Sequence, residues 1–264
     1  MNADLDAKSA VARVPFWWHS IDVGDGVVTP GHKSPDLLSS ELEQLQLPDL
    51  TGQTVLDIGA WDGYFSFAAE RLGARRVVAL DHYVWSLDLG RQQEYYRQCL
   101  LSDEKPKPYE TVPEFWQPDT LPGKAGFDTA RALLGSGVED VVGDFMAIDI
   151  AELGRFDITL FLGVLYHLRH PLLALERLRR VTNGTALIET AALVIRDHRD
   201  LSVCEFYETD ELSGDVSNWW APTAPALLGM IRAAGFSRAE LLTEVPEPGD
   251  DPVIRYRLVA RATV

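Results

Sequence analysis

Cysteine is scarce. Cys99 and Cys204 are the only two in 264 residues, too few for a disulfide framework, and neither has a second Cys or His at the short spacing a zinc site needs. Both are expected as reduced core residues, with no metal site. Long apolar runs are missing as well: nothing approaches the roughly 20 residues of a membrane span. The first ten residues carry Asp4 and Asp6 where a secretion signal is basic and then apolar. A cytoplasmic protein with no membrane role is the expectation. Basic charge is short too, 24 Lys+Arg against 40 Asp+Glu, for a formal net charge of -16. Phosphate backbones and anionic lipids are repelled by such a chain at long range, which argues against a nucleic-acid partner. Five lysines leave most of the positive charge to arginine.

What is present is ordinary globular material, 46% hydrophobic and 24% charged, in a length that fits one α/β domain over 1–264. From Leu50 onward short aliphatic runs alternate with longer amphipathic ones, the pattern of βαβ units and a parallel sheet. Strands are expected at 54–58, 77–80, 138–142, 158–162 and 186–189, each ending at or just before a polar or glycine position. The helix after Gly63 is expected to bury Phe65, Ala68, Ala69 and Leu72. Pro171 suits the first turn of a helix burying Ala174, Leu175, Leu178 and Val181. Thr223 is placed to cap another, with Leu227, Met230, Ile231 and Ala234 inward. Residues 238–242 and 253–259 read as a terminal antiparallel hairpin. Two stretches stand outside the alternation. Residues 1–50 form an N-terminal cap segment with Phe16, Trp17, Trp18 and His19, and 83–126 is a lid-like insertion.

Open parallel sheets take ligands beyond the carboxyl ends of their strands, which directs attention to Ile58-Gly59-Ala60-Trp61-Asp62-Gly63. Gly59 and Gly63 allow tight backbone geometry and close approach of a ligand, and the helix that follows offers free N–H groups. A dinucleotide fingerprint would need small residues where Trp61 and Tyr64 stand, and no G-x-x-x-x-G-K-[ST] phosphate loop occurs. Dehydrogenase and phosphate-loop readings therefore fail.

With Asp57, Gly59 and Gly63 the turn resembles the first motif of the class I S-adenosylmethionine-dependent methyltransferases; Trp61 departs from it. That resemblance implies a Rossmann-like, seven-stranded, mostly parallel sheet with helices on both faces and a terminal antiparallel hairpin. It implies S-adenosyl-L-methionine as cofactor, held at Asp57, Gly59, Ala60, Trp61 and Gly63. The cofactor bears a sulfonium, an ammonium and a carboxylate but no phosphate, so acidic residues beside the glycines make chemical sense. Asp81, with His82 after it, closes the second strand, where a carboxylate can accept both ribose hydroxyls. Asp144 and Phe145 resemble the pair that holds adenine.

A narrower resemblance rests on Phe156 to Pro171, with its Gly163-Val164-Leu165-Tyr166-His167 core, on Asp62 to Phe67, on Glu189-Thr190, and on His19 to Asp22 with Thr29-Pro30-Gly31. These are similar to the wobble-uridine tRNA carboxymethyltransferase-like group. The likeness implies that Leu162, Gly163 and Tyr166 meet the cofactor and that Lys33 reaches its carboxylate. It also departs: where the tRNA enzymes carry an arginine-bearing segment near the C-terminal tryptophans, this chain reads Asp215-Val216-Ser217-Asn218. With the acidic balance, this favours methyl transfer to a small-molecule acceptor, at oxygen or nitrogen. Wobble-uridine alkylation, or cofactor binding without turnover, are the alternatives.

A hydroxyl or ammonium acceptor must lose a proton, and histidine suits that work near neutral pH. His167 is the first candidate, with fixing of its own loop as the competing role. His19 and Asp22 follow, with tethering of the N-terminal segment as theirs. Trp18, Trp116, Glu189 and Trp219 are candidate acceptor contacts, core packing being the alternative for the aromatics. The oligomeric state stays open, a homodimer included.

Overall fold

The computed structural model describes residues 3–264, with side chains from residue 6 onward. The chain divides into two compact units, one formed by residues up to 43 with 47–144, the other by 44–46 with 145–264.

The first unit holds α1 (Ala3–Arg13), α2 (Pro35–Gln44), β1 (Thr54–Ile58), α3 (Tyr64–Arg71), β2 (Arg76–Asp81), α4 (Leu89–Ser102), α5 (Ala125–Leu134) and β3 (Glu139–Val142). β1 is β-branched and aliphatic except for Asp57, and all five of its residues are buried. β1, β2 and β3 run parallel, with Ile58 opposite Leu80 and Asp81 opposite Val142. The register levels the three strand ends at Gly59, Asp81 and Gly143: Gly59 N–H donates to Leu80 O at 2.8 Å, and Gly143 N–H to Asp81 O at 3.1 Å. α3 is turned by about one residue from the expected face. Ser66, Phe67, Ala68 and Ala69 are buried, whereas Leu72 is 48% exposed. Two contacts set that rotation: Ser66 Oγ donates to Asp57 at 2.6 Å, and Phe67 stacks on Phe127 of α5 with ring centroids 5.5 Å apart.

The second unit holds α6 (Ile150–Leu153), β4 (Phe156–Leu162), α7 (Pro171–Val181), β5 (Thr182–Ile195), β6 (Cys204–Phe206), β7 (Trp220–Pro222), α8 (Ala224–Ala233), β8 (Arg238–Leu241) and β9 (Val253–Thr263). α7 buries the four predicted residues. β5 is far longer than the expected 186–189, because β9 pairs with it antiparallel from Thr185↔Thr263 to Ile195↔Val253. β4 stops at Leu162, opposite Glu189, so β5 and β9 continue past it as a two-stranded arm. β6 and β7 form a separate hairpin. Thr223 stands at the N-cap of α8, but its hydroxyl donates to Leu201 O at 2.6 Å and does not cap the helix. Cys99 is buried as expected; Cys204 is exposed, since β6 is a short strand in a two-stranded ribbon with one face in solvent.

Seven strands make one sheet in the order β3-β2-β1-β4-β5-β9-β8. This is the Rossmann-like, mostly parallel sheet read from the sequence, with β9 the antiparallel partner of both β5 and β8. Among the described residues no helix is long and apolar enough to cross a membrane.

Candidate functional site

The turn from Gly59 to Gly63 takes its shape from left-handed backbone at three positions: Gly59 at φ 79, Trp61 at φ 52 and Gly63 at φ 89. Trp61 bears strain there that glycine would not. Gly63 has a second constraint: a Cβ there would fall 2.6 Å from the Phe67 ring and 2.8 Å from that of Phe127. The strain at Trp61 is offset by its contacts. Its N–H donates to Asp81 Oδ2 at 2.9 Å, its carbonyl accepts from Trp85 Nε1 at 2.6 Å, and its ring lies parallel to Trp18 with centroids 4.8 Å apart.

Asp81 is buried, and its carboxylate accepts the amides of Trp61, His82 and Val84. Burial pushes its pKa up, opposed by those three amides. A carboxylate has about four acceptor positions, so a ligand hydroxyl there adds to a set of amides already in place. Asp57, one strand over, is buried and pushed up to about 6, burial outweighing the hydrogen bond from Ser66. Two buried carboxyls thus flank a glycine turn at levelled strand ends. Trp116 stands by the end of β2, its ring 5.8 Å from His82 and 5.3 Å from Tyr83.

The N-terminal segment is fastened to the same turn. Asp62 Oδ2 accepts the amides of Trp18 and His19, each at 2.9 Å, and Oδ1 pairs with His19 Nδ1. Both side chains are buried. Close backbone approach makes this possible: a Cβ on Gly31 would fall 2.1 Å from the carbonyl carbon of His19. Asp22 lies exposed in a small loop and accepts from Gly24 N–H at 3.0 Å. Lys33 Nζ is committed to Glu41, at 2.8 and 2.7 Å. The 83–126 insertion folds around α4 and buries Trp85, Tyr109, Val112 and Phe115.

In the second unit the end of β4 carries another cluster. Gly163, at φ 74, has Arg257 Nη2, Glu189 Oε2 and Tyr166 Oη within 3.5 to 3.8 Å of where its Cβ would be. Arg257 grips Glu189 with two nitrogens and lies over the Tyr166 ring at 4.6 Å. Burial pushes the Tyr166 hydroxyl up. Two residues along β9, Arg255 repeats the device. It donates to Glu205 at 2.9 and 2.5 Å and to Tyr207 Oη at 3.2 Å, while Tyr207 donates to Glu205 at 2.7 Å. Burial first, then Glu205, push Tyr207 up to about 12. His167 Nδ1 lies 2.9 Å from Ser217 Oγ and 3.2 Å from Ser217 O, and Ser217 Oγ donates to Asp215 at 2.8 Å. Trp219 N–H donates to Tyr166 O at 2.8 Å, and Arg169 covers the Trp219 ring at 4.0 Å.

Within the first unit, then, the strand ends bring together Asp57, Gly59, Ala60, Trp61, Gly63, Asp81 and His82, with Trp18 and Trp116 beside them. Asp144 is exposed, two residues past β3. Within the second, Gly163, Tyr166, His167, Glu189 and Trp219 gather around β4 and β5. Phe145 is buried there, 5.7 Å from Phe161, and Leu162 is half-buried. Sequence reasoning missed Asp62, Ser66, Ser217, Arg255 and Arg257 as parts of these clusters. The alternation of Arg255 and Arg257 on β9 was the available signal for two of them, since period 2 sets both on one sheet face.

The fold has solved counterparts. It matches the N-terminal domain of EvdMO1 with SAH bound at a TM-score of 0.63 and 18% identity, over 100% of this chain and 98% of that one. The same domain with SAH and D-fucose gives 0.59 and 18%, over 100% and 97%. In sequence the chain is similar to the tRNA U34 carboxymethyltransferase of Pseudomonas fluorescens (strain SBW25), 26% identical over 195 residues, 72% of this chain and 47% of that protein. Its counterpart from Marinobacter nauticus is 26% identical over 202 residues, 74% and 47%. The chain spans about half the length of these curated relatives. No family model matches it.

Proposed function

We propose that the chain is an S-adenosylmethionine-dependent methyltransferase for a small-molecule acceptor. The observation that carries this reading is the levelled pair of strand ends, with the left-handed Gly59–Gly63 turn beside the buried Asp81. The donor set suits a cationic nucleoside: Asp57 and Asp81 are acidic where a diphosphate would be repelled. Asp81 is the group for a ribose hydroxyl and the Gly59–Gly63 turn for the methionine end. When bound, the cofactor supplies a methyl group already activated by its sulfonium. The protein's work is therefore to align the acceptor, exclude water and take a proton, and alignment alone can be worth about 7 to 11 kcal/mol.

The named relatives support a second reading, wobble-uridine alkylation in tRNA. Against it stand the net charge of -16 and the state of the arginines on the β9 arm. Arg255 and Arg257 are each held by a carboxylate, Glu205 and Glu189, and so are not free to grip an acidic donor group or a phosphate. Calorimetry with S-adenosylmethionine and SAH tests the first reading, which fails if folded protein binds neither at millimolar concentration. Incubation with bulk tRNA and a methyl or carboxymethyl donor tests the second; a modified wobble base would replace the small-molecule assignment.

A further inference from the structure

We infer that Ser217 and Asp215 are positioning residues that hold His167 as its Nδ1–H tautomer and so keep Nε2 as a proton acceptor. The inference rests on the methyltransferase reading for its use, not for its geometry. Nδ1 faces two oxygens of one residue, the carbonyl of Ser217 at 3.2 Å and its hydroxyl at 2.9 Å. A carbonyl only accepts, so the nitrogen opposite it carries the proton. The hydroxyl proton is already given to Asp215 Oδ1 at 2.8 Å, leaving Oγ a lone pair for Nδ1–H. Both constraints demand the same tautomer.

The carboxylate itself is fixed. Asp215 Oδ1 also accepts Ser217 N–H at 2.9 Å, a local turn that aims the hydroxyl at the ring. The loop is tied down on either side: Asn218 Nδ2 donates to Leu212 O at 2.7 Å, and Trp219 N–H to Tyr166 O at 2.8 Å. The charged and titratable groups around the imidazole are therefore Asp215, Arg257 and the Tyr166 ring, whose centroid is 4.1 Å away. Burial holds His167 below the usual histidine range; Asp215 opposes that shift and Arg257 adds to it.

In the proposed reaction the acceptor's oxygen or nitrogen forms the bond to the methyl carbon while the carbon–sulfur pair stays with sulfur. The acceptor's proton passes to His167 Nε2 and then to solvent. The imidazolium formed in between donates from Nδ1 toward Ser217, whose hydroxyl links it to the negative charge on Asp215. The segment Asp215-Val216-Ser217-Asn218 thereby gains a role in place of the arginines it lacks.

Nitrogen NMR of the full chain with labelled histidine reads this without any acceptor. Above its titration, wild-type His167 should show the Nδ1–H neutral tautomer. Asp215→Asn and Ser217→Ala should both lower its pKa, by about one unit, and Ser217→Ala should add Nε2–H form. Ser217→Thr, which keeps the hydroxyl, should restore the wild-type spectrum. An Nε2–H tautomer in the wild type, or variants that leave tautomer and pKa unchanged while folded, would overturn the inference. SAH binding by the wild type is measured separately, so a failure of the cofactor reading shows there and not in the tautomer.

Discussion

The backbone N–H of Trp61 donates to Asp81 Oδ2 across 2.9 Å, so the turn after β1 is held in shape by the carboxylate that closes β2. Asp81→Ala would leave the amides of Trp61, His82 and Val84 without their acceptor, at about 1–3 kcal/mol for each that stays buried and unpaired. The expected result is a clear fall in thermal midpoint together with loss of SAH affinity. Asp81→Asn, which keeps one acceptor oxygen, should fall between the alanine variant and wild type on both measures. An alanine variant with unchanged midpoint and affinity would show that the carboxylate serves neither turn nor ligand.

How far the sequence reaches can be judged at these same residues. The βαβ alternation, the glycine turn and the acidic strand ends were legible because each is a local signal: strand period, turn chemistry, a charge at a strand terminus. Gly59, Asp81 and the α7 face fell where the pattern set them. The length of β5 was not legible, because its last six residues are ordered by pairing with β9, about sixty residues further along the chain. The turn of α3 escaped for a related reason: Ser66 faces inward because Asp57 is there to accept its hydrogen bond, and helical periodicity counts only apolar residues. Average tendencies misled at Cys204, by burial of thiols, and at the Thr223 hydroxyl, which stands at the N-cap but bonds Leu201 O instead of the helix.

Asp57 gives the protein a pH dependence of defined sign. Its pKa in the folded chain is about 6, raised from 3.8, so folding favours the protonated carboxyl. That contribution is fully present below about pH 3.8 and is lost as pH rises through about 6; above this the buried charge opposes folding. At about 1.36 kcal/mol per unit the cost approaches roughly 3 kcal/mol. Asp57→Asn should therefore raise the thermal midpoint of the cofactor-free protein at pH 8 and do little at pH 4.5. An equal difference at both pH values would mean that the carboxyl is not protonated on folding.

Glu189 is expected to act as an internal neutraliser. It holds Arg257 bidentately beside Gly163 and Tyr166, residues that the resemblance to the tRNA carboxymethyltransferase-like group assigns to cofactor contact. Glu189→Gln removes the charge but keeps the shape, freeing the guanidinium. The variant should bind a donor analogue carrying a carboxymethyl group at least tenfold tighter than wild type does, about 1.4 kcal/mol. SAH should bind as before, and Glu189→Gln/Arg257→Gln should cancel the gain. A tenfold gain that survives in the double variant would assign the carboxylate contact to another residue.

Asp62 and His19 should differ in what their removal costs, although they are partners. Asp62 accepts three times, from the amides of Trp18 and His19 and from the His19 ring, whereas His19→Ala leaves both amide bonds intact. Replacing Asp62 with alanine therefore orphans two backbone donors and a ring nitrogen, and the two losses at His19 are buried and count in full. The segment from Phe16 to Lys33, which carries the Trp18 ring stacked on Trp61, should then open locally. Hydrogen exchange across 16–33 should quicken strongly in Asp62→Ala and modestly in His19→Ala, with the amides of β4 and β5 unchanged in both. If the two variants exchange alike, the histidine ring rather than the backbone grip is what holds the segment down, and His19 returns as a functional base only if its loss also leaves cofactor binding untouched while abolishing transfer.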